Sequence, residues 1–291
     1  YCGDGIIQAD YSKRILQSDK TTLKTYSGPY NLEECDPKNM SVKVEFFGLG
    51  DFIHGYNRGN NKQPIFSSKT DYWRFSRGLR FFNDERDITE LANDLTFLIA
   101  SQKENLRKME PRDPFDGRNT FEWREEWGAQ RPLVKIIAYC LMPNHYHLIL
   151  KEIVSGGISK FMKKLGAGYT VYWNLKNKRV GRIFQGQYRG KTIKGEMYLQ
   201  YLDVYVQVIN VFELFPGGIP AAMENFDEAF QFALDYPFCS LGESFGLRNL
   251  DIIDRDCLSD VFPNVEIYKE FCKDAIITHA AKKTLGKLAM E

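Results

Sequence analysis

Residues 133 to 150 read LVKIIAYCLMPNHYHLIL. The eight residues from Leu133 to Cys140 are almost all apolar, as in a buried strand, and Met142-Pro143-Asn144 signals a turn before a second apolar run begins. That second run carries His145 and His147. Side chains at i and i+2 of a strand share a face, so the two imidazoles converge. Imidazole suits a transition metal, and a His pair with one oxygen ligand also suits Mn2+ or, less ideally, Mg2+. The chain has only four histidines, His54, His145, His147 and His279, and two of them fall in this one strand.

Working outward, a chain of 291 residues with 43% hydrophobic content can bury a sizeable core. No apolar run approaches the roughly 18 to 20 residues that cross a bilayer, so a soluble protein with no membrane partner is expected. The first residue is Tyr1 and no signal peptide is read there. Six cysteines, at 2, 35, 140, 239, 257 and 272, show neither a CxxC pair nor metal-ligand spacing. A reducing, cytoplasmic setting without a disulfide framework is the expectation.

Net charge is +1 overall but unevenly spread. Residues 160 to 194 hold ten Lys and Arg and no Asp or Glu, which leaves the remainder of the chain at about −9. Tyr169, Tyr172, Trp173, Phe184 and Tyr188 interleave with these cations. That is the composition of a groove in which bases stack and phosphates are neutralised; the plain alternative is a solvated face over a core helix. The missing carboxylates favour nucleic acid.

Around these pieces, Phe52 to Asn57 reads as a strand carrying His54, preceded by an alternating run over 41 to 47. His54 is taken as a structural or substrate-side residue. Helices are expected over 71 to 82, with Ser67 and Ser68 as caps, over 88 to 109, and over the amphipathic run beginning at Ile158. Residues 111 to 131 read as a long loop, and a short strand follows the basic loop. The segment 196 to 212 is a helix carrying Tyr198, Tyr201 and Tyr205. A phenol is a poor nucleophile at neutral pH unless a metal polarises the phosphate it attacks. The expected organisation is an extension at 1 to 40, a main domain at 41 to 215 and a helical C-terminal region at 216 to 291.

Taken in order, HGYNRG (54 to 59), DYWRF (71 to 75), YCLMPNHYHLIL (139 to 150), GGISKFMKKLGAGYTVYWN (156 to 174), GRIFQGQYRGK (181 to 191), YLQYLDVYV (198 to 206) and DYPFCSLGE (235 to 243) resemble the single-tyrosine HUH transposases. The branch they resemble most is that of the REP-associated tyrosine transposases. The resemblance implies an α+β fold, a ferredoxin-like antiparallel sheet with helices, the HUH endonuclease fold, with a small helical C-terminal appendage. It implies a divalent metal, Mg2+ or Mn2+, on His145 and His147, and Tyr205 as the nucleophile. The family's Asn four residues beyond the tyrosine is Ile209 here, and Asn210 comes one residue late. Asn210 is the third ligand if the helix adjusts locally; otherwise Gln207 or water completes the set. Lys163, Lys164, Tyr169, Arg179, Arg182, Gln185, Arg189 and Lys191 are the expected DNA contacts.

The implied function is cleavage and rejoining of single-stranded or hairpin DNA through a 5′-phosphotyrosine, in the cytoplasm at the nucleoid, by a monomer or a homodimer. A non-cleaving DNA-binding protein and a hydrolytic metal nuclease are the rivals.

Overall fold

The computed structural model describes residues 47–86 and 129–288. The helix expected over 88 to 109, and nearly all of the strand over 41 to 47 and the loop over 111 to 131, fall outside them. The fold begins with β1 (Phe52–Arg58), α1 (Lys69–Phe81), β2 (Val134–Met142) and β3 (His145–Glu152). It continues with α2 (Gly157–Asn177), β4 (Arg189–Ile193) and α3 (Glu196–Val204). The four strands form one sheet in the order β2-β3-β1-β4, every neighbour antiparallel. A βαββαβ chain in that order is the ferredoxin-like topology, and β3 is one of its two central strands.

Strand parity sorts the residues. Ile53 on β1, Tyr139 and Leu141 on β2, and Tyr146, Leu148 and Leu150 on β3 join the core beneath α1 and α2. Their alternating neighbours form rows on the opposite face. One row runs Cys140, His147, Tyr56, Arg189 from β2 to β4; the next brings His54 beside Lys191; a third sets His145 between Met142 and Arg58. Both faces of β3 are covered from Tyr146 to Leu150, and that stretch is apolar apart from His147 before the strand ends in Lys151 and Glu152.

Local chemistry sets the helices. Ser68 and Asp71 close a capping box at the start of α1, and the Asp71 carboxylate accepts from the Ser67 and Ser68 amides at 2.9 Å each. Asp71 also ties α1 to α2 by accepting from Tyr172 Oη at 2.9 Å and from Lys176 Nζ at 2.5 Å. Burial pushes its pKa up, but these partners outweigh burial and hold it below the usual carboxylate value. The Pro143-Asn144 turn docks on the segment after β1: Pro143 O accepts from Ile65 and Phe66, and Asn144 O accepts from Gly59.

Beyond α3 the helix continues as a π-helical turn, Tyr205–Ile209, and a final piece, Asn210–Phe212. Helices follow at Gly218–Glu224, Phe226–Asp235, Leu241–Ser244, Asp256–Ser259 and Val265–Leu288. The C-terminal helices pack against the tyrosine helix rather than trailing beyond it. Tyr268 Oη and Gln207 Nε2 donate to the buried Asp203 carboxyl, and Ser240 and Ser244 donate to Gln207 Oε1. Residues 238 to 240 also close the outer edge of β2, through Leu141 N to Phe238 O and Ser240 N to Tyr139 O, each 2.9 Å. No helix among the described residues is long and apolar enough to cross a membrane.

Two glycines of α2 test this packing. A Cβ on Gly157 would sit 2.3 Å from the Leu133 carbonyl oxygen, whereas a Cβ on Gly166 meets nothing within 4 Å. Gly157→Ala is expected to destabilise by about 2 kcal/mol or more through backbone displacement. Gly166→Ala should be neutral or stabilising by about 0.5–1 kcal/mol. Urea melts of the two variants check this, and equal midpoints would refute the close approach of α2 to the start of β2.

Candidate active site

The two histidines of β3 arrive on the histidine face with their Nδ1 atoms already engaged. His145 Nδ1 lies 2.6 Å from Asn144 Oδ1, and His147 Nδ1 lies 2.8 Å from His54 Nε2. Each bond leaves the Nε2 of its β3 ring for another partner. Burial, then the Arg58 charge, lowers the His145 pKa to about 4; burial, then Lys191, lowers His54 to about 4. His147 is pushed well down by burial first, and then by the positive charge that His54, His145 and Arg58 would set beside a protonated His147. All three rings are therefore neutral at pH 7, the form in which imidazole ligates a metal.

Tyr205 comes to this face from the tyrosine helix. Its ring meets His147 edge-on at a centroid distance of 5.4 Å and His54 at 6.2 Å. Tyr56, beside His147 in the same row, packs over both imidazoles at 5.1 and 5.9 Å. Tyr201 lies elsewhere, against Phe271. Tyr169 is buried, its hydroxyl donating to Ile65 O at 2.6 Å.

The π turn settles where Asn210 stands. Its backbone N–H bonds to Tyr205 O, five residues back instead of four. One extra residue is thus absorbed within a single turn, so Asn210 follows Tyr205 by one hydrogen-bonded turn as an i+4 residue does in an α-helix. Asn210 is fully buried; Nδ2 donates to Val206 O at 3.3 Å, and Oδ1 is shielded without a partner. Gln207 is otherwise employed, its amide nitrogen on Asp203 and its oxygen on Ser240 and Ser244. Among the described residues no three His, Cys, Asp or Glu side chains form a cation cage.

The expected DNA contacts divide. Arg189 and Lys191 stand exposed on β4, in the same rows as Tyr56 and His54. Exposed Gln185 lies where its amide bonds Arg58 O at the end of β1, and Arg179 and Arg182 are exposed in the loop after α2. Arg179 covers the Trp173 ring at 5.8 Å. Lys163 is exposed on α2, in the layer that packs on the face opposite the histidines. Lys164 and Tyr169 correct the expectation. Lys164 is 5% exposed and its ammonium donates to the carbonyls of Asp84 and Arg86 at 2.5 and 2.8 Å, while Tyr169 is a core residue. Phe184 is buried too, so much of the aromatic interleaving is interior packing. Sequence reasoning leaves His54 as a structural or substrate-side residue and does not single out Arg58. Their even spacing in one strand puts them on Tyr56's face, but only the pairing with β3 reveals which face that is.

Residues 126–208 match the family model described as "Transposase IS200 like". No curated protein matches the chain. A solved structure of a REP-associated tyrosine transposase bound to a REP hairpin is similar at 12% identity and a TM-score of 0.38, over 73% of this chain and 92% of that one. The matched span contains the histidine hairpin, α2, β4 and the helix through Tyr205, and it stops two residues short of Asn210. The part of the chain that carries His145, His147 and Tyr205 is thus similar to the IS200-like transposases.

Proposed function

We propose that the protein is a metal-dependent DNA strand transferase of the REP-associated type, cutting and rejoining single-stranded DNA beside a hairpin through Tyr205. The observation that carries this reading is the Tyr205 ring set edge-on at 5.4 Å from His147, on the face that holds both β3 histidines. The free Nε2 positions of His145 and His147 and the orphaned Oδ1 of Asn210 fit a divalent cation, Mn2+ or Mg2+. When bound, that cation supplies Lewis-acid polarisation of the scissile phosphate.

The chain's own groups do the rest. The Tyr205 phenol oxygen attacks phosphorus as its proton departs. The phosphorus–O3′ bond breaks in line, the 3′ oxygen leaves as a hydroxyl, and the 5′ phosphate remains esterified to Tyr205. Attack by another 3′-hydroxyl reverses these steps. One phosphoester is exchanged for another, so no nucleotide hydrolysis is needed. Arg189 and Lys191 flank the site on β4 and hold the backbone, with Arg58 beside His145 facing the same phosphate.

Labelled hairpin DNA with a single-stranded flank, incubated with Mn2+ and resolved on a denaturing gel, tests the reading. The wild type should yield a covalent protein–DNA band, and Tyr205→Phe should lower it by roughly three orders of magnitude or more. Cleavage without a covalent band would identify a hydrolytic nuclease. Binding without cleavage across metals would identify a non-cleaving DNA-binding protein.

The cations separate by salt dependence. Each phosphate contact on a single strand contributes about 0.7 to the slope of log affinity against log salt. Arg189→Ala and Lys191→Ala should each lower the slope by about that amount, and Lys163→Ala, behind the sheet, should leave it unchanged. A filter-binding titration in which Lys163 matters as much as Lys191 would refute this groove.

The π turn makes a register prediction. Deleting Ile209 removes the extra residue and restores an α-helical turn, so covalent-band formation should stay within about tenfold of the wild type. Deleting Val204 instead should turn Tyr205 by about 100° relative to the preceding helix and abolish the band. Equal loss in both deletions would mean that the π turn is not a compensated insertion.

A further inference from the structure

The contact between His54 and His147 has no part in the chemistry above. Three imidazoles on one face invite reading as a three-histidine metal site, but the nitrogens argue against it. A neutral imidazole has one N–H and one lone pair, on different sides of the ring. His54 Nε2 faces His147 Nδ1 at 2.8 Å. It therefore lies on the side of His147 away from Nε2, where a cation held by that ring would sit. The same arrangement recurs on the neighbouring ligand, where Asn144 Oδ1 meets His145 Nδ1 at 2.6 Å. Both β3 histidines are thus held at Nδ1, one by an amide oxygen and one by a second imidazole. His54 and His147 are only 7% and 6% exposed, and Tyr56 packs on both rings, so water competes poorly for this bond.

We infer that His54 is a positioning residue: its Nε2 accepts the Nδ1–H of His147, fixes that ring in the tautomer with its lone pair on Nε2, and aims the lone pair at the cation. Outer partners of this kind are worth roughly 10–100-fold in metal affinity. The inference rests on the reading of His145 and His147 as cation ligands, and the test separates the two.

The tautomer is read first, by nitrogen-15 NMR of the imidazoles in the metal-free wild type at pH 7.5. A proton on Nδ1 of His147 is expected; a proton on Nε2 overturns the inference. Mn2+ affinity of the DNA-free protein is then followed by the electron paramagnetic resonance signal of unbound Mn2+. His54→Phe should weaken binding by roughly 10–100-fold, while His54→Gln, whose amide oxygen can accept the same bond, should stay within about threefold of the wild type. Wild-type affinity in His54→Phe overturns the inference. So does an equal loss in both variants accompanied by a changed spectrum of bound Mn2+, which would make His54 a direct ligand. If His54→Phe does not fold, the His147 tautomer and His54→Gln decide. A wild type that binds no Mn2+ yet carries the Nδ1 proton would sink the metal reading and leave the hydrogen bond as a structural contact alone.

Discussion

The alternation of side chains along β3 is the constraint on which the rest of the molecule depends. Tyr146, Leu148 and Leu150 are committed to the core under α1 and α2, and that commitment forces His145 and His147 to the other face. A slip of one residue would exchange the sets, placing two imidazoles in an apolar core and two leucines at the site. Because the buried set is large and entirely apolar, the register is specified strongly. The site's orientation is thus inherited from the packing behind it.

The second constraint is the tyrosine helix, which meets the histidine face and also carries the C-terminal helices on its back. Asp203 and Gln207 are drawn into a buried network with Tyr268, Ser240 and Ser244, in which burial pushes the Asp203 pKa up to about 6. The residues alternating with them around the helix, Tyr205 and Asn210, are left for the sheet side. Division of labour around one helix explains why a local π turn is tolerated there. It keeps the polar network and the tyrosine in place on both sides of an extra residue, at the cost of one irregular turn.

Much of this was legible in the sequence. The two apolar runs with a Pro-Asn turn, the amphipathic run after Gly157 and the capping Ser68 gave strands, helix and cap in their observed places, because each depends on neighbours within a few residues. What could not be read was which charged and aromatic residues lie inside. Lys164 and Tyr169 sit in a segment rich in exposed cations, yet each is buried by a partner far along the chain, at Asp84 and Arg86 for one and Ile65 for the other. His54 is the converse. The HGYNRG motif draws attention to its strand but not to its partner; the contact with His147 spans 93 residues.

That separation has a consequence for the protein's life as a growing chain. His54, the β3 histidines and Tyr205 come from three distant stretches, and the last is made well after the hairpin that bears the imidazoles. Contacts of such long range form late in folding. A chain truncated before residue 205 would possess every imidazole of the site and no phenol to attack with, and one cut before Ser240 would lack the partner that holds Gln207. The proposed strand transfer is therefore withheld from incomplete copies by the order in which its parts are synthesised.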